Sequence, residues 1–274
     1  MKPLSLTLAG LLIGSAAFAR GEPKAQPSSP PAAPAMSEKN QKFLDAYLDA
    51  WEKRMAKIEG LETKIVLTEI DEAGRKTVRT GDASLLKPNY SKLLLKLEKE
   101  PTNAKRWMHF VTDGKFLRQY DYGQKKVLTD PLPKEGIGDN SMMSFLFMTK
   151  AADLKKRYDL LIDVDDPARH NDSYLSIDVR PKTKEDVIEF KKAQVVLWKN
   201  DTDPKFADSL MLPARLWFQK PNGEQIMWEF KELTTKKRLL PRDFEAPSPP
   251  DKEWKPQWMH PQTPPVTRTS APGK

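Results

Sequence analysis

The chain contains no cysteine in its 274 residues. That absence excludes a disulfide framework, a thiol nucleophile and any cysteine-ligated metal centre. A fold of this chain must rest on an apolar core instead. Histidine is nearly as scarce, and His109, His170 and His260 stand alone, with no HExxH or paired spacing to hold a metal. His109 reads as a packed or edge residue of a strand. There is no Gly-x-Ser-x-Gly elbow, so Ser141 and Ser144 read as cap and helix-face residues. Gly136-x-Gly138 lacks the third glycine and the strand-to-helix setting of a dinucleotide site. Asp163, Asp165, Asp166 and Asp172 lack the central glycine and closing glutamate of a calcium loop and read as a turn. Nothing in this inventory points to catalysis, a cofactor or a metal.

Long hydrophobic runs are missing too. Leu4 to Ile13 is the first apolar stretch, about half the length that spans a bilayer. With Lys2 before it and Ala17-Phe18-Ala19 after it, residues 1–19 read as a secretory signal cleaved after Ala19. No cysteine follows to take a lipid anchor. Residues 20–36 form a Pro/Ala/Ser-rich linker, and 251–274 a proline-rich tail expected to be disordered, since proline removes a backbone donor and fixes φ. Between them, 37–250 is long enough for one domain with a substantial core. The formal net charge is +8, carried by short scattered runs such as Lys155-Lys156-Arg157 and Lys236-Lys237-Arg238. An exported chain without a basic arm is not expected to meet nucleic acid. Anionic lipid headgroups or an acidic partner suit the charge better.

What the chain does have is periodicity. After Ser37, a candidate N-cap, Phe43, Leu44, Tyr47, Leu48, Trp51, Met55 and Ile58 recur at helical spacing up to Gly60. From Leu61 the period becomes that of strands. Candidate strands run over 61–68, 77–87, 93–97, 106–112, 116–122, 125–129, 158–164, 174–179, 193–198, 214–219 and 225–232. Asp113-Gly114 and Pro221-Asn222-Gly223 mark hairpin turns. Leu93, Leu95 and Leu97 alternate with Leu94, Lys96 and Glu98, as in a half-buried strand. An apolar segment, Ser141 to Met148, interrupts the strands and reads as helical, followed by a further turn or two of helix over Ala151–Arg157. With no βαβ alternation, the expectation is a mainly β fold of about ten or eleven antiparallel strands, one long N-terminal helix and a helical insert.

Gly81-Asp82-Ala83-Ser84-Leu85-Leu86-Lys87-Pro88-Asn89, then the Leu93/Leu95/Leu97 strand, then Val111-Thr112-Asp113-Gly114-Lys115-Phe116-Leu117-Arg118-Gln119-Tyr120 resembles the periplasmic lipoprotein-carrier (LolA-like) family in order and content. The closing Leu239-Leu240-Pro241-Arg242-Asp243-Phe244-Glu245-Ala246-Pro247 is similar to the family's terminal F-x-x-P strand. The resemblance implies an unclosed antiparallel β-barrel with a helical lid, a periplasmic location, and a monomer that binds and transfers lipoprotein or lipid acyl chains without catalysis or cofactor. It implies a ligand face built from Leu93, Leu95 and Leu97, a cover of Phe145, Leu146, Phe147 and Met148, and contributions from Trp107, Phe116 and Tyr120. Lys87 stands where the family carries an arginine that helps hold the lid, and a lysine lacks that planar donor fork. The alternative is an envelope sensor or scaffold that uses the same fold to bind envelope proteins, with an anionic membrane surface as a further partner.

Overall fold

The computed structural model describes residues 36–132, 150–199, 207–235, 238–249 and 251–259. The signal-like residues 1–19 lie outside the described residues, as do Phe145, Leu146, Phe147 and Met148. Helix α1 (Glu38–Ala56) opens the domain, and Ser37 Oγ accepts from Asn40 N at 3.2 Å to cap it. Leu44, Tyr47, Leu48, Trp51 and Met55 form its buried stripe, three and four residues apart. Such a helix is stable only where that stripe is covered.

Twelve strands form one sheet: β1 (Gly60–Ile70), β2 (Lys76–Leu86), β3 (Tyr90–Leu97), β4 (Met108–Asp113), β5 (Phe116–Asp121), β6 (Lys126–Pro131), β7 (Tyr158–Leu161), β8 (Tyr174–Pro181), β9 (Lys192–Trp198), β10 (Pro213–Gln219), β11 (Gln225–Thr234) and β12 (Lys255–Trp258). Their order across the sheet is β12-β6-β5-β4-β3-β2-β1-β11-β10-β9-β8-β7. Every pairing is antiparallel except β12 with β6. The end strands β12 and β7 do not pair with each other, so the sheet is not closed into a barrel. Two short helices, α2 (Ala151–Arg157) and α3 (Lys184–Glu189), flank β7 and β8. Thr183 caps α3 by accepting from Asp186 N.

Turn chemistry sets the register. Gly114 has φ +86° at the first position of the two-residue loop between β4 and β5, and Asp113 Oδ1 accepts from Lys115 N and Phe116 N. Gly223, at φ +94°, does the same service between β10 and β11. Gly81 is demanded by close approach: a Cβ there would sit 1.8 Å from the Leu94 carbonyl oxygen.

Two sequence expectations are corrected at the chain's end. Residues 251–259 are not a structureless tail: they carry β12 along the edge of β6, and Trp254 is buried. Lys255 N and Met259 N donate to Lys125 O and Thr129 O. Pro256, one residue out of phase, has its missing donor on the solvent side of an edge strand, where proline is tolerated. The stretch Pro241–Phe244, which resembles a terminal strand in sequence, is a 3-10 turn in which Asp243 Oδ2 accepts from Leu240 N. Its Phe244 ring is fully buried and packs against Tyr90 at 5.8 Å.

Candidate functional site: an apolar face of an unclosed sheet

Strand alternation divides the sheet into two faces. The inner face carries Ile65 and Leu67 of β1, Gly81 and Ala83 of β2, Leu93, Leu95 and Leu97 of β3, Met108 and Phe110 of β4, and Leu117 of β5. Leu93 lies between Ala83 and Phe110, and Leu95 between Gly81 and Met108. Most of these residues join the stripe of α1 in one contiguous cluster of buried side chains that continues through Leu160, Ile177, Val195, Leu216 and Trp228. Leu95 and Leu97 are buried, and Leu93 is half-buried. Leu93 to Leu97 spans roughly 13 Å at the rise of a strand.

Both ends of this lining are polar. At one end the Ser91 and Thr112 hydroxyls meet at 2.9 Å, and Thr112 Oγ1 donates to Asn89 O. At the other, Arg79, opposite Leu97, forms an ion pair with Glu69 on the same face. Burial lowers the Arg79 pKa from its usual value, and the nearby charge of Arg106 adds to that.

A cavity of about 360 Å³ reaches the same cluster at the free edge of β7. Its apolar walls are Met36, Leu44, Tyr158 and Leu160, and Lys155 and Lys182 stand among them. Both lysines are ion-paired, to Asp45 and Asp159 respectively. Within the cluster, the Trp51 indole Nε1–H is buried and has no acceptor among the described residues.

The remaining sequence-predicted residues are placed elsewhere. Phe116 and Tyr120 alternate with Leu117 and therefore point to the outer face, as does Trp107 in phase with His109 and Val111. Their inclusion with Leu93, Leu95 and Leu97 is corrected accordingly. Trp107 meets Tyr122 edge to face at 5.2 Å and receives Lys96 Nζ over its ring, and its Nε1 donates to Pro101 O. Tyr120 belongs to a small outer core with Val111, Val127 and Trp254, beneath the segment that leads into β12. Its hydroxyl donates to Pro247 O at 2.7 Å, and desolvation pushes its pKa up to about 12. Phe116 meets Trp258 at 6.0 Å, with Trp258 47% exposed.

Lys87 also has a role that sequence did not show. Its ammonium donates to Met55 O at 2.9 Å and Ala56 O at 3.3 Å, so it caps the C-terminal end of α1, where helix carbonyls lack partners and positive charge is favoured. Partial burial lowers its pKa, with Glu59 opposing. Beside the outer core, His109 stacks on Tyr120 at 4.4 Å and its Nδ1 meets Tyr122 Oη at 3.0 Å. Burial, with a smaller contribution from Lys92, lowers its pKa to about 4.

Among the described residues no group of three or more acidic, histidine or cysteine side chains is placed to hold a metal ion. The run of Asp163, Asp165 and Asp166 serves its own loop: Asp163 accepts from Asp165 N and Asp166 from Ala168 N. No helix among the described residues is long and apolar enough to cross a membrane.

No protein-family model and no curated protein matches the chain. Solved structures do. One is the LolA superfamily protein NE2245 from Nitrosomonas europaea, at 9% identity and TM-score 0.39, covering 74% of this chain and 97% of that one. Another is a putative outer membrane lipoprotein-sorting protein domain from Vibrio parahaemolyticus, at 12% identity and TM-score 0.37, with 76% and 97% covered. A third is LprF from Mycobacterium bovis, at 13% identity and TM-score 0.37, with 82% and 99% covered.

Proposed function

We propose that this protein is an exported, soluble, non-catalytic carrier that takes up acyl chains of lipids or lipoproteins on the inner face of its sheet. The observation that carries the reading is the lining itself: a stripe of aliphatic and aromatic side chains across β1 to β5, on a sheet that is not closed, with Leu93 left half-buried. Apolar surface on an unclosed sheet gains by admitting another apolar body. The unpartnered Trp51 indole suits a ligand that brings its own acceptor, such as an acyl ester or acid, because a buried donor left unmade costs about 1–3 kcal/mol. The likeness in sequence order to the lipoprotein-carrier family points the same way.

Strand parity provides the test. Leu93→Glu places a carboxylate on the inner face, whereas Leu94→Glu places one on the outer face. Binding of a fluorescent fatty acid should fall by about tenfold or more in the first variant and stay near wild type in the second, a carboxylate being poorly accommodated among apolar groups. Equal binding by the two variants, with both folded by circular dichroism, would remove the inner face from the account.

A further inference from the structure

The outer face carries a second concavity, remote in chemistry from the apolar lining. It is a groove of about 490 Å³ across β8, β9, β10 and β11, walled by Arg169, Arg180, Lys192 and Arg215, with Trp217 between them. Asp178 is its only carboxylate, and that charge is met by the ion pair with Arg169 and by Gln194 Nε2 at 3.4 Å. Arg180, Lys192 and Arg215 have no ion-pair partner among the described residues. The nearest acids are engaged elsewhere: Asp159, opposite Arg180 on β7, pairs with Lys182. Glu229, opposite Arg215 on β11, lies 3.9 Å from Lys231.

Register orders these groups along the strands. Arg215 stands opposite Val196, Trp217 opposite Gln194, and Lys192 opposite Gln219, with Arg180 one residue beyond the Val179–Ala193 pair. The groove therefore reads cation, indole, cation pair, with a two-residue step from each row to the next. At the rise of a strand, each step is roughly 6–7 Å and the outer rows are roughly 13 Å apart. An extended peptide matches this backbone spacing, because its side chains recur on one side at that same two-residue step. Trp217 is pinned by its Nε1–H to Gln225 Oε1 at 3.2 Å and flanked by Lys192 at 5.3 Å from the ring centre.

We infer that this groove binds an extended acidic peptide segment with carboxylates at positions i and i+4 and an apolar side chain at i+2. The carboxylates meet Arg215 at one end and Arg180 with Lys192 at the other, where arginine forks favour carboxylate geometry. The side chain at i+2 lies against Trp217. A planar bilayer is the poorer fit, since it offers anionic headgroups to the cations but no side chain set at the two-residue step to lie against Trp217.

The test is fluorescence polarisation with the full chain and a labelled heptapeptide carrying glutamate at its second and sixth positions and phenylalanine at its fourth. A scrambled peptide of the same composition and phosphatidylglycerol vesicles serve as comparison arms. The ordered peptide should bind about tenfold or more tightly than the scrambled one, weakening with added salt as exposed charge pairs do. Arg180→Gln/Lys192→Gln/Arg215→Gln should abolish that preference while leaving fatty-acid binding and the melting temperature unchanged. Equal affinity for the two peptides would overturn the proposal. So would preference for the ordered peptide that survives the triple substitution, or loss of vesicle binding in that variant with no peptide binding in the wild type.

Discussion

At the scale of single residues, the strongest local demand falls on Gly81. Its inner-face position opposite Leu95 brings the β3 backbone so near that a methyl group would overlap the Leu94 carbonyl. Gly81→Ala should destabilise the fold by about 2–4 kcal/mol, read as a lowered denaturant midpoint, because backbone must move to make room. Gly123→Ala has only contacts at 3.3 Å or beyond and should cost far less. His109 makes a pH prediction. Its folded pKa of about 4 lies below histidine's ordinary value of 6.5, so the unfolded chain binds more protons between those values. Stability from this site is therefore full above about pH 6.5 and is lost as pH falls toward 4. The expected loss is on the order of 2 kcal/mol, and His109→Phe should flatten that part of the pH profile. Lys87→Met should cost about 1 kcal/mol through lost capping of α1, with Lys87→Arg retaining most of it. A variant Lys87→Met as stable as wild type would deny the capping role.

At the scale of elements, α1 and β3 were legible because each repeats its own period without interruption. The Asp113-Gly114 hairpin was legible because positive φ at a two-residue loop calls for glycine. β4 and β5 were legible as strands but not in their facing. Five consecutive residues of β4, Met108 to Thr112, are buried, since α1's cluster lies on one side and the C-terminal segment on the other. Alternation vanishes when both faces are covered, which is why Trp107, Phe116 and Tyr120 were grouped with the wrong face. β12 was hidden for a different reason. Four residues containing a proline have no strand propensity of their own, and only the waiting edge of β6 orders them. This segment should matter to stability: truncation after Glu245 uncovers Val111, Tyr120 and Val127 and removes Trp254, and should lower the melting temperature by several degrees or more. Tyr120→Phe, which only removes the hydroxyl's bond to Pro247, should cost about 1 kcal/mol.

At the scale of the whole molecule, the same sheet presents two unlike surfaces, an apolar interior and a cationic groove outside. The sheet and the Leu93/Leu95/Leu97 alternation were legible because strand period is written locally, and the openness was implied by the family resemblance alone. The sequence reading did not reach the groove, whose cations come from three strands and a loop and meet only through register. The central claim concerns the interior, and photo-crosslinking tests it most directly. The full chain would be irradiated with a fatty acid carrying a diazirine in its chain, and the adducts mapped by peptide mass spectrometry. The account predicts adducts on inner-face residues such as Leu93 and Phe110, competed away by unlabelled fatty acid. Adducts confined to outer-face positions such as Leu94, Trp217 or Trp258, or none above background, would contradict it.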